Sequence, residues 1–458
     1  MLRGGVSTYI AAVFILAVLL AFLISMYMVM RLWGEVTSNV ISTLSARFEE
    51  VAEGLRIVNT YLTPEGLVAE VLNNGSRTAY LAAAYVRNAS TSSFTYEAMD
   101  TAVPPQSIKY VLIKGAFKPG AEYVVALITR GGRVLKAVEN LTTYVTFVVI
   151  VNRVAEELRN YQVEVLLNSS WVGWPYVGGG GGSIYFTDAR GNPLHYWVER
   201  FNPAAREALI WVKIPKLPPS GREVIVMHYG GRNPYAPYYG GPYGTFYYFV
   251  NLSQWVVGRL AGTATYYPTL HILQLTANLR SEKGFLVLGK APSEPVGFEA
   301  NFTFRAYGGT GADAVWVGAY DTTYVGTTED IVDGGYHFTF DEYQDRIAFT
   351  NSTVDNGPPL AYAFVTNINN GLWHEATVRF WYDPASRSAT ALIYYDGALV
   401  VNYTVGVAYS QINVMLGRGV FFIGGRTGAL TDYHQLEGVI SVRKYVEPQP
   451  AVTITELP

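Results

Sequence analysis

Three acidic residues lie within one short stretch, Asp341-Glu342-Tyr343-Gln344-Asp345. Two carboxyl groups that flank a glycosidic bond can hydrolyse it, one as the acid and the other as the nucleophile or base. Glu342 and Asp345 are the candidate catalytic pair. On a regular strand, however, residues three apart face opposite sides, whereas Asp341 and Asp345 share a face. We therefore expect a protein that is not an enzyme, with glycoside hydrolysis as the alternative.

Metal-binding patterns are sparse in this sequence. His374-Glu375 begins a His-Glu-x-x-His pattern, but Val378 occupies the position of the second histidine. The six histidines are scattered and there is no cysteine, so a transition-metal site has little support. Asp321, Asp330 and Asp333 lie in a turn-rich segment, where they are either calcium ligands or solvated loop acids. We expect no cofactor, with Ca²⁺ left open.

A sugar-binding role requires fewer features than catalysis. Such sites combine aromatic rings, which pack on the C–H faces of sugars, with acceptors for the hydroxyl groups. The best local group consists of Trp316, Tyr320, Asp321, Tyr324 and Tyr343. The alternative is that its aromatic residues belong to the core and its rim. We take the group as the candidate glycan-binding site.

Composition excludes one class of partner. The 458 residues carry a net charge of −3, only 15% are charged, and no basic run is present. Because nucleic acids are bound through clustered Lys and Arg, we expect no nucleic-acid partner. The abundance of Tyr and Gly, 35 and 45 residues, favours β-sheets joined by turns.

The first element of the chain is a long helix. From Tyr9 to Met30 there is no charge, proline or glycine, and about 22 residues at about 1.5 Å each suffice to cross a bilayer. Apolar residues then recur at steps of three and four from Trp33 to Val58, which is typical of an amphipathic helix. We predict one helix over residues 7–58, with residues 9–30 crossing the membrane.

This layout resembles archaeal type IV pilins and archaellins. The matching motif is Arg3-Gly4-Gly5, placed before the apolar stretch. The resemblance implies a signal within residues 1–5, cleavage after Gly4 or Gly5, and a retained helix that contacts membrane lipid or further copies of the chain in a filament. One departure is that no glutamate lies between Val6 and Ala11, where many pilins have one. A plain signal anchor, which would never polymerise, shows the same span and stays open.

Asn-x-Ser/Thr sequons are numerous. We take them as candidate N-glycosylation sites, at Asn74, Asn88, Asn140, Asn168, Asn251, Asn301, Asn351 and Asn402. Their number favours an extracellular location for the chain, either anchored at the cell surface or assembled in a pilus.

The rest of the chain is predicted to be mainly β. Short alternating strands separated by Gly, Pro and Asn turns predict successive β domains. The predicted divisions are an Ig-like sandwich over 60–142, a linker over 143–159, a β-sandwich domain over 160–234, a Tyr/Gly/Pro-rich linker over 235–249, a jelly roll over 246–447 and a tail over 448–458.

Two of these segments resemble known families. Residues 160–234 resemble an uncharacterised β-domain family of surface proteins, through Asn160-Tyr161-Gln162-Val163 and Trp211-Val212-Lys213-Ile214-Pro215. Residues 246–447 resemble the concanavalin A-like lectin/glucanase jelly roll, through Phe298-Glu299-Ala300-Asn301-Phe302 and Leu372-Trp373-His374-Glu375-Ala376. Enzymes of the second family carry Glu-x-Asp-x-x-Glu or Glu-x-Asp-x-Glu, which the 341–345 stretch does not match. The sequence therefore predicts a structural and adhesive surface protein that displays a lectin-like domain to a glycan or a neighbouring cell.

Overall fold

The computed structural model describes residues 13–32, 54–254, 258–292, 297–320, 336–351 and 358–455. Helix α1, Val13–Leu32, has 20 residues, a mean hydropathy of 2.8 and no buried portion. Its length and composition suit a membrane span, and α1 lies within the predicted helix. The predicted processing residues Arg3, Gly4 and Gly5 lie outside the described residues, as does the stretch 33–53.

The chain forms two compact units, which divide after Tyr144. The first unit contains a three-stranded sheet, in the order β1-β2-β5, and a four-stranded sheet, in the order β4-β3-β6-β7. Leu67, Leu81 and Leu127 are fully buried in the core of this unit, as expected for the predicted sandwich. Its strands are β1 (Leu55–Thr63), β2 (Gly66–Asn73), β3 (Ala79–Asn88), β4 (Phe94–Val103), β5 (Ser107–Lys114), β6 (Ala121–Thr129) and β7 (Val134–Leu141).

The prediction of helix through Val58 is wrong for its last residues, which belong to β1. Gly54 adopts a φ of +53°, a left-handed conformation that a right-handed helix cannot include. A Cβ at Gly54 would also lie 2.4 Å from Asn74 Oδ1, so the chain turns here only because the residue is glycine. Beyond Gly54, the residues from Leu55 pair with β2.

The second unit holds the remaining strands and three short helices. The first group comprises β8 (Tyr144–Val151), β9 (Leu158–Leu167), β10 (Tyr185–Asp188), β11 (Pro193–Leu194), β12 (Tyr196–Asn202), β13 (Glu207–Leu217), β14 (Arg222–Tyr229), α2 (Ala236–Tyr239) and α3 (Pro242–Thr245). The second group begins with β15 (Tyr248–Asn251), β16 (Arg259–Gly262), β17 (Thr265–Tyr267), β18 (Ile272–Thr276), β19 (Lys283–Lys290), β20 (Gly297–Tyr307), β21 (Ala314–Tyr320), β22 (His337–Asp341) and β23 (Arg346–Thr350). It ends with β24 (Ala361–Phe364), β25 (His374–Asp383), β26 (Ser388–Tyr395), β27 (Ala398–Gly406), α4 (Tyr409–Ile412), β28 (Val420–Arg426), β29 (Tyr433–Tyr445) and β30 (Ala451–Thr455).

Four sheets make up the second unit. The smaller two have the strand orders β11-β10-β14-β8-β30 and β12-β13-β9. The larger two are an eight-stranded sheet, β17-β18-β29-β20-β25-β26-β27 with β15 also paired to β29, and a seven-stranded sheet, β16-β19-β28-β21-β22-β23-β24. The predicted mainly β fold with stacked antiparallel sheets is thus confirmed.

Two segments that we predict as linker and tail are strands. In the 143–159 linker, β8 is a nearly continuous apolar run and lies in the interior of the five-stranded sheet, where both faces are covered. In the 448–458 tail, β30 contains four consecutive β-branched residues, which favour an extended strand, and pairs with β8. The 235–249 linker folds as α2, α3 and the start of β15, and its Phe246 packs on Trp197 and Trp211.

Phenylalanine side chains join the two large sheets. On β20 of the eight-stranded sheet, Phe298 and Phe304 point inward. Phe298 meets Phe421 of β28 with a ring-centroid distance of 4.9 Å, and Phe304 meets Phe340 of β22 at the same distance. Since alternate residues of each strand face inward, the intervening residues form the outer faces of both sheets.

A buried ionic cluster stands on the outer face of the eight-stranded sheet. Glu299 of β20 accepts hydrogen bonds from Arg443 of β29 at 2.8 and 3.0 Å and from Arg379 of β25 at 2.7 Å. The Arg443 guanidinium also lies 4.9 Å from the ring centroid of Trp211 on β13. Burial alone raises the pKa of the Glu299 carboxyl, but the two arginines outweigh it and lower the pKa to about 2.

Further hydrogen bonds at this end of the sheet tie β29 to β9. The backbone N–H of Lys444 donates to Gln162 Oε1 at 2.9 Å, and Lys444 Nζ donates to the carbonyl of Arg159 at 2.8 Å. Gln162 in turn donates to the carbonyl of Thr245 at 3.0 Å. The two predicted β domains of this region therefore share a polar, buried junction within one unit.

Glu299→Gln should lower the free energy of unfolding of the second unit by about 3–5 kcal/mol, because Arg443 stays buried without its counter-charge. Chemical denaturation followed by tryptophan fluorescence measures the change. The wild-type advantage should be complete above the ordinary Glu pKa of 4.5 and disappear as the pH falls toward 2, where Glu299 becomes protonated. Glu375→Gln, on an exposed position of β25, is the matched control. Equal destabilisation by both variants would contradict this role of Glu299.

Candidate functional site

Of the candidate glycan-binding residues, Trp316 and Tyr343 have described side chains, and they lie on or beside the outward surface of the seven-stranded sheet, which we call the front face. Val315 and Val317 of β21 point into the core, so Trp316 between them points outward. The antiparallel register places Trp316 opposite Thr339 of β22 and Gly424 of β28. By the same register, the side chains that share the front face are those of Lys283, Phe285, Ala314, Trp316, His337, Thr339, Asp341, Arg346, Ala348, Thr350, Tyr362, Phe364, Phe422 and Arg426.

Trp316 lies in a covered part of the front face. It is only 2% exposed and packs with Ala314 and Phe422. Its indole N–H finds no hydrogen-bond acceptor within the part of the chain that the structure describes. Trp316 therefore offers no ring face to a ligand in this structure, in agreement with the alternative that it is a core residue. The side chain of Tyr320, together with Asp321 and Tyr324, lies outside the described residues.

Exposed rings occur at the β24 edge of the front face. Tyr362 and Phe364 are 50% and 74% exposed, and their ring centroids are 5.1 Å apart. Tyr343, in the turn between β22 and β23, is 54% exposed. The carbonyl of Asp345 accepts a hydrogen bond from the Val365 N–H at 2.9 Å, which ties this turn to the end of β24. We call Tyr343, Tyr362 and Phe364 the aromatic edge.

Charged side chains lie next to the aromatic edge. Arg346 of β23 stands opposite Phe364 on one side and Asp341 on the other, and its Nε donates to Asp341 Oδ2 at 3.1 Å. Burial raises the pKa of Asp341 to about 6, although the Gln344 N–H and Arg346 act against this rise. The Arg346 side chain is mostly covered, with 13% of its surface exposed beside the rings' strand.

The two candidate catalytic residues differ in accessibility. Residues 342–345 form the hairpin turn, so the alternation predicted for a regular strand does not apply to Glu342 and Asp345. Glu342 is fully buried, its Oε2 lies 3.3 Å from His434 Nε2, and burial raises its pKa despite that partner. Asp345 is exposed and has a φ of +48°. A glycosidic bond needs two accessible carboxyl groups on its two sides, and this geometry does not supply them.

A hydrogen-bond network behind the front face supports this turn. His434 Nδ1 lies 2.7 Å from Thr276 Oγ1, and the carbonyl of Asp313 accepts a hydrogen bond from the Glu342 N–H at 3.1 Å. Asp432 accepts hydrogen bonds from the N–H groups of Gly309 and Ala312 at 2.7 and 3.1 Å. The network joins β18, β29 and the residues just before β21, and its hydrogen bonds hold the turn that carries Tyr343 in place.

The structure does not describe the predicted calcium ligands, but it does describe the asparagines of the predicted sequons. Asp321, Asp330 and Asp333 lie outside the described residues, and no cluster of three or more metal-binding side chains occurs within the described ones. Among the sequons, Asn74, Asn140, Asn168, Asn351 and Asn402 are exposed, whereas Asn88, Asn251 and Asn301 are partly buried. The Asn301 amide is also engaged, since it accepts a hydrogen bond from Thr377 Oγ1 at 2.6 Å.

Tyr362, Phe364 and Arg346 are not among the candidates predicted from the sequence. The stretch Ala361-Tyr362-Ala363-Phe364 does carry a signal, because small and aromatic residues alternate and thus place both rings on one face of a strand. The signal is hard to recognise because all four residues are apolar, so polarity does not distinguish the outer face from the inner.

A concave surface also lies between the edge strands β9 and β30. It is a groove of about 670 Å³ lined partly by Glu164, Leu166, Asn168 and Val172. Leu166 and Val172 are 55% and 42% exposed. Trp316 and Tyr343, the predicted glycan-binding residues with described side chains, do not line this groove.

One family model matches part of the chain. A family model described as a domain of unknown function, DUF2341, matches residues 180–257. No curated protein matches the chain.

Similar solved structures include lectins. Arcelin-5 from Phaseolus vulgaris, a lectin-like defence protein, is 12% identical, with 44% of this chain and 98% of that chain covered and a TM-score of 0.35. The exoplasmic/lumenal domain of VIP36, in its metal-free form, is 16% identical, with 44% and 96% covered and a TM-score of 0.34. Lectin II from Ulex europaeus is 15% identical, with 43% and 99% covered and a TM-score of 0.33. Similarity at this level identifies neither a ligand nor a site in this chain.

The structure predicts a large loss of stability for truncation of one front-face aromatic residue and almost none for another. Trp316→Ala should lower the free energy of unfolding by about 3–5 kcal/mol, because it leaves a cavity in a buried cluster. Phe364→Ala, at an exposed position, should change it by no more than about 0.5 kcal/mol. Denaturant titration of both variants checks this, and a large loss in Phe364→Ala would contradict the exposure of the aromatic edge.

Proposed function

We propose that this chain is an extracellular surface protein, anchored in the membrane or assembled in a pilus, whose C-terminal sandwich binds carbohydrate without cleaving it. The observation that carries this proposal is the aromatic edge, where Tyr362 and Phe364 lie exposed beside the Arg346–Asp341 pair. Adjacent exposed rings form an apolar surface of the kind that binding sites often provide.

The chemistry of the aromatic edge suits a sugar. The C–H face of a pyranose packs on aromatic rings, and its hydroxyl groups need donors and acceptors of fixed position. Arg346 has one hydrogen bond to Asp341 among the described residues, so its other N–H groups are available to hydroxyl oxygens. Asp341, which is 4% exposed, serves mainly to hold the guanidinium in place.

We infer binding rather than hydrolysis from the same region. The buried Glu342 is hydrogen-bonded to His434, so it is not accessible as the partner acid of the exposed Asp345. Incubation with each glycan that binds, followed by an assay for new reducing ends, would reveal hydrolysis.

A glycan array probed with the detergent-solubilised full-length chain tests the proposal. We expect selective binding, and a loss of about tenfold in affinity, or ~1.4 kcal/mol, for Tyr362→Ala and Phe364→Ala. Tyr238→Ala, which removes a ring that is 79% exposed on α2, is the matched control and should bind as the wild type does. Absence of binding to every glycan, or equal affinities in all three variants, would contradict the proposal.

The location of the protein rests on α1, an apolar helix of 20 residues near the N-terminus. A retained helix would contact membrane lipid or, in a filament, the same helix of other copies. Mass spectrometry of the mature protein distinguishes the two arrangements. We expect a chain that begins at Gly5 or Val6, as pilin-type processing requires, whereas an intact Met1 would favour a static anchor. A start beyond Leu32 would remove the helix and overturn both.

A further inference from the structure

The outer face of the eight-stranded sheet carries a second set of rings, at the end away from Glu299. Phe304 and Ala306 of β20 point into the core, so Arg305 and Tyr307 point outward. Arg305 stands opposite Gln435 of β29, and Tyr307 stands opposite Tyr433. Trp373 lies just before β25. We call Arg305, Tyr307, Trp373, Tyr433 and Gln435 the arginine clamp.

The arginine clamp holds one cation between aromatic rings. The Arg305 guanidinium lies 4.6 Å from the ring centroid of Tyr307 and 4.3 Å from that of Trp373. Tyr307 in turn stacks on Tyr433, with centroids 5.0 Å apart and planes inclined by 27°. Two rings therefore pack against the guanidinium, and its N–H edges are left for hydrogen bonding.

One edge of the guanidinium is already used. Its Nε and Nη2 donate to Gln435 Oε1 at 3.0 and 2.8 Å, and Gln435 Nε2 donates to Gln274 Oε1 at 3.2 Å. Within the described residues no carboxylate pairs with Arg305, in contrast to Arg443 at the other end of the same face. The end fork of the guanidinium thus keeps its N–H groups in a fixed direction, and Glu437, on the same face, is the acidic group that its charge affects.

We propose that the arginine clamp binds a carboxylate-bearing saccharide, such as a uronic acid residue of an acidic glycan. An oriented guanidinium fork matches the two oxygens of a carboxylate, and an aromatic rim suits the sugar ring attached to it. This site lies on the opposite sheet from the aromatic edge and uses different residues. It does not depend on the function proposed for the front face.

Glu437 is an acidic side chain next to the arginine clamp. It lies two residues beyond Gln435 on the same face of β29, and Arg305 opposes the rise in its pKa that burial causes. Its carboxylate should therefore repel an acidic ligand at the clamp. Removing the charge with Glu437→Gln should strengthen binding, whereas altering the fork with Arg305→Lys should weaken it, because lysine keeps the charge but loses the planar pair of donors.

The test uses trigalacturonate and neutral galactotriose of the same linkage, each titrated into the detergent-solubilised full-length chain labelled with 5-fluorotryptophan. Trp373→Phe assigns the Trp373 ¹⁹F resonance. We expect trigalacturonate, and not galactotriose, to shift this resonance, with affinity about tenfold weaker in Arg305→Lys and about threefold tighter in Glu437→Gln. Added salt should weaken the interaction.

Other outcomes would overturn the proposal. These are the absence of any trigalacturonate-dependent shift, equal shifts with galactotriose, or unchanged affinity in Arg305→Lys. A concentration-dependent dimer in sedimentation experiments that is lost in Arg305→Lys would instead assign the clamp to contact between copies. The double variant Tyr362→Ala/Phe364→Ala should bind trigalacturonate as the wild type does, so failure of the front-face proposal is measured separately.

Discussion

The Glu299 carboxylate, buried between Arg443 and Arg379, is the interaction on which the second unit depends most. Burying Glu299 and Arg443 is costly unless both are paired and hydrogen-bonded. The strands β20 and β29, together with β25, must therefore keep the register that brings these groups and the partly exposed Arg379 together. The stacking of Arg443 on Trp211 extends this requirement to β13. The ionic cluster thus fixes the register of three strands of the eight-stranded sheet and links that sheet to the three-stranded sheet that contains β13.

The proposed binding surfaces follow from what each sheet does not bury. Phenylalanine side chains join the inner faces, which leaves alternate positions free for other roles. On the seven-stranded sheet these positions are covered around Trp316 and open at the β24 edge. On the eight-stranded sheet one arginine is buried with a carboxylate at one end, and another is held between rings without one at the other end. The contrast between Arg443 and Arg305 is the reason to regard the second as available to a ligand.

Much of the architecture can be predicted from the sequence, because alternation and apolar runs are local signals. The apolar stretch around α1 and the alternation of Phe298, Ala300 and Phe302 predict the helix and the stacked sheets that the structure contains. The strands β8 and β30 are harder to predict, since one has no polar alternation and the other is short.

The candidate site is harder still to predict from the sequence. Trp316 and Tyr362 are both aromatic residues on strands, and only the tertiary arrangement determines that the first is buried and the second exposed. Likewise, no local pattern reveals that Glu342 turns inward to His434.

A structure of the full-length chain with an oligosaccharide selected by the glycan array is the most direct measurement of the central claim, that the C-terminal sandwich binds sugar at the front face. We predict a sugar ring packed on Tyr362 and Phe364, with its hydroxyl oxygens within hydrogen-bonding distance of Arg346. Sugar bound only in the groove between β9 and β30, or no bound sugar under saturating conditions, would contradict this assignment.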